Sequence, residues 1–413
     1  MKLWVKIIIG VVLGLVVGWV IGPKAAYLKP IGTIFLSLIN MLVVLLVFAS
    51  MTVGITSIHD PKKLTRIGLK TLGIYLVTTV IAIWIGLLLA NIVRPGVGAQ
   101  LGQVVEPSIA AAKGMTLKDL FLGIIPSNPI AAFTDNTKIL QVIVFSVFLG
   151  IALNLCGEKG RPLLRILESL AEAMYRLTSI VMEAAPYGVF GIMAWVAGTF
   201  GWKTLLSLVT FLLTNWTACA IQVFVVDVGI LWLLSRVNPW HFFKGMGDAI
   251  AFAMSTNSST ATVPVTLHCV QENLGVSKNI SSFVIPLGST INMNGTAIYQ
   301  AIAAVFIAQA YGITLGWEAY LTITVTAVLC AVGAAGIPGT GFVMLVVVLG
   351  AVGLPIEGIA ILFGIDRLRE MVSTAVNIIG DGIAAVWVAR GEGELDIDQY
   401  NRAEVVGYEG SEV

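Results

Sequence analysis

Residues 255–260 read Ser-Thr-Asn-Ser-Ser-Thr, and residues 333–341 read Gly-Ala-Ala-Gly-Ile-Pro-Gly-Thr-Gly. Each run sits at the centre of an otherwise apolar stretch, the first of about 244–274 and the second of about 319–353. Ser, Thr, Asn, Gly and Pro favour turns or leave helices, so both stretches read as helices broken at mid-length. Broken backbone at membrane depth leaves N–H and C=O groups that only protein or a water-filled cavity can satisfy. The breaks therefore predict two re-entrant hairpins meeting inside a membrane protein. Two ordinary kinked spans would account for the glycines, but not as readily for a wholly polar run at 255–260.

The rest of the chain agrees with a membrane setting. Of its 413 residues 57% are hydrophobic and 11% charged, against about 25% charged in an ordinary soluble domain, and the mean hydropathy is +0.94. The 24 Lys and Arg and 23 Asp and Glu are too few to cover a soluble surface of this size. Seven of those acids lie between Glu392 and Glu412, which depletes the remainder further. A soluble enzyme, a nucleic-acid binder and a disordered scaffold are excluded. Cys156, Cys219, Cys269 and Cys330 form no CxxC pair, and His59, His241 and His268 are isolated, so neither a disulfide framework nor a His/Cys metal site is indicated. The apolar run from Val5 to Gly22 lacks a small-residue cleavage site and reads as a retained first helix rather than a signal peptide.

Apolar runs near 5–22, 31–58, 71–93, 138–155, 172–198, 204–235, 282–312 and 355–389 are long enough to span, a crossing needing roughly 20 residues. The fold expected is all-α and polytopic, with eight transmembrane helices and two re-entrant hairpins. Lys62, Lys63, Arg66 and Lys70 in one connector, Lys159, Arg161 and Arg165 in another, and Arg236 with Lys244 after the sixth span mark the cytoplasmic side. The 94–120 loop carries only Arg94, Lys113 and Lys118 and falls outside. With both termini cytoplasmic, the first hairpin enters from the cytoplasm and the second from outside. Two such breaks from opposite faces point to a midplane site with alternating access.

Four elements converge on that site: the Ser/Thr run, Asn292-Met293-Asn294-Gly295-Thr296 in the seventh span, the Gly-rich tip of the second hairpin, and Asp366, Glu370, Ser373, Thr374, Asn377 and Asp381 in the last span. On a helix Glu370, Thr374, Asn377 and Asp381 share one face, and such a polar stripe must meet protein or water. Carboxylate, amide and carbonyl oxygens such as those of Asn292, Asn377 and Asp381 suit a hard alkali cation. Glu370 can accept from a substrate ammonium, and N–H groups at the hairpin tips suit a substrate carboxylate. Interhelical glue is the bland alternative for any one of these residues, but not for four clusters at facing breaks.

Across nearly its whole length the chain resembles the dicarboxylate/amino acid:cation symporter family, which includes archaeal aspartate transporters and mammalian glutamate and neutral amino acid transporters. The resemblance rests on Ile125-Pro126-Ser127-Asn128-Pro129, Ala185-Pro186-Tyr187-Gly188-Val189-Phe190, the first-hairpin serines with Val263-Pro264-Val265-Thr266, the Asn-Met-x-Gly-Thr motif, Ala335-Gly336-Ile337-Pro338-Gly339 and the polar face of the last span. It implies a homotrimer in the inner cell membrane, with lipid and a small amino acid substrate as its partners and no organic cofactor. Residues 1–70 and 94–203 would form a static scaffold and residues 71–93 and 204–390 a transport domain moving as an elevator, gated by the second hairpin. Residues 391–413 would be an acidic cytoplasmic tail. Sodium, the coupling ion, would sit with Gly288, Asn292, Asn377 and Asp381 at one site and with Thr290, Met293, Ala331, Val332 and Ala334 at a second. A third would use Tyr75, Thr78, Thr79 and Asn294. The substrate would meet Asn257, Ser258, Ser259, Thr296, Gly341, Glu370, Ser373, Thr374 and Asn377.

Three positions depart from the family's acidic amino acid pattern. Asn294 stands where an aspartate is usual, which weakens the third cation site or changes its ion. Ser373 and Asn257 stand at the two positions where members place an arginine on the substrate's second carboxylate, and neither supplies a guanidinium fork. Glu370 replaces an aspartate and reaches one methylene further. The expectation is a pocket for a small neutral amino acid such as serine, alanine or threonine. Thr340, at a gate-tip position that is often smaller, would narrow it. Arg369 qualifies this: it lies four residues before Ser373, and if it reaches the pocket, acidic amino acids or dicarboxylates, with sodium or proton coupling, become the substrates. If not, Arg367 and Arg369 pair with Asp366 or Glu370, or snorkel to the interface. Asp227 in the sixth span has two readings, a proton site or a solvated acid at the boundary. A passive channel, the main competitor from another class, needs no matched ammonium acceptor. An enzyme is excluded by the lack of a nucleophile with a base.

Overall fold

The computed structural model describes residues 3–56, 64–99, 125–134, 138–200, 202–333, 336, 339–402 and 405–407. The described residues are helical nearly throughout, with one isolated antiparallel bridge between Val276 and Leu395. The helices are α1 (Leu3–Ile21), α2 (Lys29–Thr56), α3 (Leu64–Val93), α4 (Ile139–Cys156), α5 (Arg161–Glu183), α6 (Ala185–Phe200) and α7 (Trp202–Ile221). The π-helical turns Gln222–Asp227 and Ile230–Ser235 continue α7. Then come α8 (Pro239–Gly245), α9 (Gly247–Thr256), α10 (Ser259–His268), α11 (Lys278–Ile291), α12 (Asn294–Ala310), α13 (Trp317–Gly333), α14 (Thr340–Val352), α15 (Asp366–Glu392) and α16 (Ile397–Arg402), with shorter helical turns between them. Among the described residues six helical stretches are long and apolar enough to cross a bilayer, Thr204–Ser235, Lys278–Ala310 and Ile356–Glu392 among them. Of the expected spans, that at 31–58 is α2 as far as Thr56, with 57–58 outside the described residues, and that at 172–198 is divided into α5 and α6 where Pro186 removes a backbone donor in the first turn of α6.

Packing sorts the helices into two groups. In the first, α1 lies along α6, and α2 packs on α4, α5 and α6. The close approach of α1 to α6 depends on glycines four apart. A Cβ on Gly10, Gly14 or Gly18 would come within 2.5, 2.7 or 2.2 Å of the carbonyl oxygens of Pro186, Phe190 and Ala194. Small residues at this spacing let backbones touch where lipid offers no hydrophobic drive for association. In the second group, α3 packs on α12, and α15 packs on α9, α11 and α12. The buried side chains of α12 run its whole length.

Both broken stretches fold back on themselves: α9 packs on α10 and α13 on α14. The arms are 10, 10, 17 and 13 residues long, each short of the roughly 20 that a crossing needs. In the first hairpin the turn is made by Asn257, whose φ of 55° is left-handed, a conformation asparagine tolerates. Ser258 then caps α10 by accepting from the Ala261 N–H at 3.1 Å.

The acidic C-terminal segment, expected as a tail, is folded against the protein where it is described. Glu392 pairs with Arg66 at 3.2 Å and with Lys70 on α3, and Glu394 accepts from Ser277. The Asp396 N–H donates to Gly275 O at 2.9 Å, Gln399 Nε2 to the carbonyls of Gln271 and Glu272 at 3.0 and 2.6 Å, and the buried Tyr400 to Asn238 O at 2.9 Å. The segment thus clasps the base of the first hairpin.

Candidate functional site

The site forms where α11 stops. The peptide units of Asn292 and Met293 leave the helix with φ/ψ of −92°/75° and −105°/51°, and α12 restarts at Asn294. The break turns the side chains of Asn292 and Met293 and the Gly295 N–H toward α15. Asn292 Nδ2 donates to Asp381 Oδ1 at 2.8 Å and to Asn377 O at 3.2 Å. Asn377 Oδ1 accepts from the Gly295 N–H at 2.8 Å, and its Nδ2 lies 3.2 Å from Met293 Sδ. Gly288 is required here by space: a Cβ would fall 2.3 Å from Asp381 Oδ1 and 2.5 Å from the Tyr75 hydroxyl. The four residues of the first expected cation site are therefore together, in an environment closed to solvent. Among the described residues, Asn292 Oδ1 and Asp381 Oδ2 are buried without a hydrogen-bond partner. Unfilled oxygen acceptors beside a buried carboxylate fit a desolvated monovalent cation, which would supply the positive charge that the carboxylate lacks.

The third expected site is arranged differently. Thr79 Oγ1 donates to Asn294 Oδ1 at 2.8 Å, and Asn294 Nδ2 donates to Thr78 Oγ1 at 3.3 Å. Tyr75 donates to Val284 O at 3.0 Å. The amide bridges both threonines and puts an N–H donor where a cation would need an acceptor, so these residues do not fit one. Of the second site, Thr290 donates to Leu287 O at 3.0 Å, Met293 and Ala331 are buried, Val332 is half-buried, and Ala334 lies outside the described residues.

The two hairpin tips meet across the pocket. Ser258 Oγ and the Thr260 N–H donate to Gly336 O at 2.7 and 3.0 Å. A Cβ on Gly336 would lie 2.5 Å from Thr260 Oγ1 and 2.6 Å from Ser289 O. The Gly339 N–H, at a left-handed φ of 89° that suits glycine, donates to Glu370 Oε1 at 2.9 Å. Glu370 Oε2 holds Arg367 at 3.1 Å. The carboxylate expected to receive an ammonium thus also holds the second hairpin tip. Thr374 Oγ1 donates to Glu370 O at 2.9 Å. Asn257, Ser259, Thr296 and Ser373 are buried, and Gly295 is set so close to α15 that a Cβ would lie 2.2 Å from Ser373 O.

Of the two expectations for Arg369, entry into the pocket or pairing with an acid of its own helix, the structure shows the pairing. Arg369 is 1% exposed. It is paired with Asp366, and its guanidinium lies 3.9 Å from the centre of the Tyr299 ring. A Cβ on Gly341 would be 3.5 Å from one of its terminal nitrogens. Its Nε has no partner among the described residues. Arg369 does not snorkel: α15 carries it inward, one helical turn before Ser373.

Helices that break at a polar centre, between two hairpins that meet there, define a membrane transporter of the symporter type. The model of the sodium:dicarboxylate symporter family matches residues 3–391, and the chain belongs to that family. It is 38% identical over 382 residues to the proton/sodium-glutamate symport protein of Geobacillus stearothermophilus, covering 91% of this chain and 90% of that one. It is 38% identical over 380 residues to C4-dicarboxylate transport protein 3 of Bradyrhizobium diazoefficiens, covering 91% and 85%. To the proton/glutamate-aspartate symporter of Escherichia coli it is 34% identical over 379 residues, covering 89% and 86%. These relatives are named for acidic substrates, whereas the residues at 257 and 373 alone had favoured a neutral one.

Proposed function

We propose that the chain is a cation-coupled secondary active symporter of acidic amino acids, glutamate or aspartate. The observation that carries this is Arg369, a fully buried guanidinium beside Gly341 at the second hairpin, with one donor still unfilled. It stands in for the fork that Ser373 and Asn257 lack and suits a substrate's second carboxylate. Two relatives are named for glutamate transport and one for C4-dicarboxylates. An amino acid is favoured over a plain dicarboxylate because Glu370, while holding the Gly339 N–H and Arg367, keeps lone pairs that can accept from an ammonium. The small neutral substrate expected from the sequence is set aside.

In this reading the substrate's main-chain groups meet Ser258, Ser259, Thr374, Asn377 and Glu370. Sodium sits with Gly288, Asn292, Asn377 and Asp381 and at the second site on Thr290 and Met293. The group of α1, α2 and α4–α6 is a scaffold within a homotrimer of the inner cell membrane, both termini cytoplasmic. The group of α3, α7 and α9–α15 carries the site across as an elevator gated by the second hairpin.

The test is uptake into proteoliposomes of labelled glutamate, aspartate, succinate, serine and alanine, with and without a sodium gradient. Glutamate or aspartate uptake that needs the gradient is the expected result. Arg369→Ala should reduce acidic uptake by a factor of about 10 to 100, the loss of one charge-assisted contact. Serine or alanine outcompeting glutamate in the native protein would refute the substrate assignment.

A further inference from the structure

The site above makes no use of Asp227. This carboxylate lies in the sixth span, eight residues before Ser235, or about 12 Å of helix from its end. It is 1% exposed, whereas Phe224 and Val225 beside it are 67% and 64% exposed. It is therefore turned inward at membrane depth and is not a solvated boundary acid.

Among the described residues its one hydrogen bond comes from Gln222 Nε2, at 3.2 Å from Asp227 Oδ1. Helical register explains the pairing. Residues five apart on an α-helix point about 140° away from each other. The i→i+5 closure of the π-helical turn over Gln222–Asp227 sets them one above the other. Among the described residues two atoms of this pair have no partner, Asp227 Oδ2 and Gln222 Oε1. Both are oxygens, and the pair is one donor short. A proton on Oδ2 supplies that donor: the amide N–H meets the acid carbonyl while the acid O–H meets the amide carbonyl, and both orphans are satisfied.

Among the described residues of the elements packed on this turn, no cation pairs with Asp227. The turn packs against α3, α7, α15 and the π-helical turn Ile230–Ser235. On α3 the ionisable groups are Arg66 and Lys70, which hold Glu392, and Tyr75, which donates to Val284 O. On α15, Asp381 takes Asn292, Arg369 takes Asp366 and Arg367 takes Glu370, while Arg390 is exposed in the last turn of the helix. Neither α7 beyond Lys203 nor Ile230–Ser235 carries an Asp, Glu, Lys, Arg or His residue. A carboxylate buried without a counter-charge is among the costliest groups a membrane protein can carry, and a bound proton removes the cost.

We propose that Asp227 with Gln222 is a proton-binding site, loaded and emptied once per transport cycle and separate from the sodium and substrate residues. The proposal rests on the symporter reading for its cycle but not on the choice of substrate. Two measurements test it on the full-length protein. Infrared difference spectra of reconstituted protein should show the carbonyl band of a protonated carboxyl that disappears in Asp227→Asn and shifts in Gln222→Leu. A pH dye trapped in the proteoliposome lumen should report acidification during substrate uptake by the native protein and lose that signal in Asp227→Asn, whose amide keeps the pairing with Gln222. A band unchanged by Asp227→Asn overturns the site. Acidification that persists in Asp227→Asn, or is absent from a native protein that takes up substrate, overturns its part in transport. If the native protein takes up neither glutamate nor aspartate, the substrate assignment fails instead, and the infrared band still decides the proton.

Discussion

The two hairpins have the same outline and are held in opposite ways. The first is fastened at its base. Asn273 joins its two arms by donating to Gly245 O at 2.9 Å and accepts from the Val406 N–H at 2.9 Å. Tyr400 and Gln399 of the C-terminal segment fasten the same end. Its tip is built by side chains, with Ser258 as helix cap. The second hairpin has a buried arm, α14, but its described tip is held through backbone groups: Gly336 O accepts from Ser258 and Thr260, and Gly339 N–H reaches Glu370. Backbone contacts at glycines fix little once the partner is withdrawn. The difference fits the proposed reading, in which the first hairpin is a wall and the second a gate. In that reading the C-terminal segment keeps the wall in place.

The largest effect should come from blocking the gate's seat. Gly336→Val puts atoms where Thr260 Oγ1 and Ser289 O already stand. Uptake should be abolished while the protein still purifies as a monodisperse species; normal uptake would show that the tips need not meet. Next, Asp381→Asn removes the buried charge at the proposed sodium site. Sodium-driven uptake should be lost, and an unchanged sodium dependence would refute the assignment. Third, Tyr400→Ala opens a cavity beneath the first hairpin and breaks its bond to Asn238 O. A loss of about 3 kcal/mol is expected. It should appear as a lower thermal midpoint and faster thiol labelling of Cys269, which is buried on that hairpin. Labelling at the native rate would mean that the clasp does not brace the wall. The smallest effect belongs to Ser258→Ala, which removes one helix cap and one tip contact. About 1 kcal/mol is expected, read as a modest rise in the apparent KM for substrate with uptake retained.

Much of this was legible in the chain. The run at 255–260 marked a turn in a helix because its residues prefer caps and turns, and that preference is local. The face shared by Glu370, Thr374, Asn377 and Asp381 followed from helical periodicity alone. Other features had a signal that was not read. The glycines at 10, 14 and 18 are a spacing visible in the sequence, but their partner, the backbone of α6, is not. Gln222 and Asp227 look unrelated at a separation of five until a π-helical turn aligns them.

The sequence by itself determined that the chain lies in a membrane, where its helices break and which polar residues those breaks present, because hydropathy, turn preference and periodicity act between near neighbours. Only the tertiary structure decided which polar groups meet. It buried Arg369 against Asp366 and Tyr299, and it closed Asn294 onto Thr78 and Thr79 with its own amide. It also folded the acidic segment onto the first hairpin. Each of these depends on contacts across the bundle, between residues far apart in the chain or on the rotation of a helix about its axis, and no local pattern encodes either.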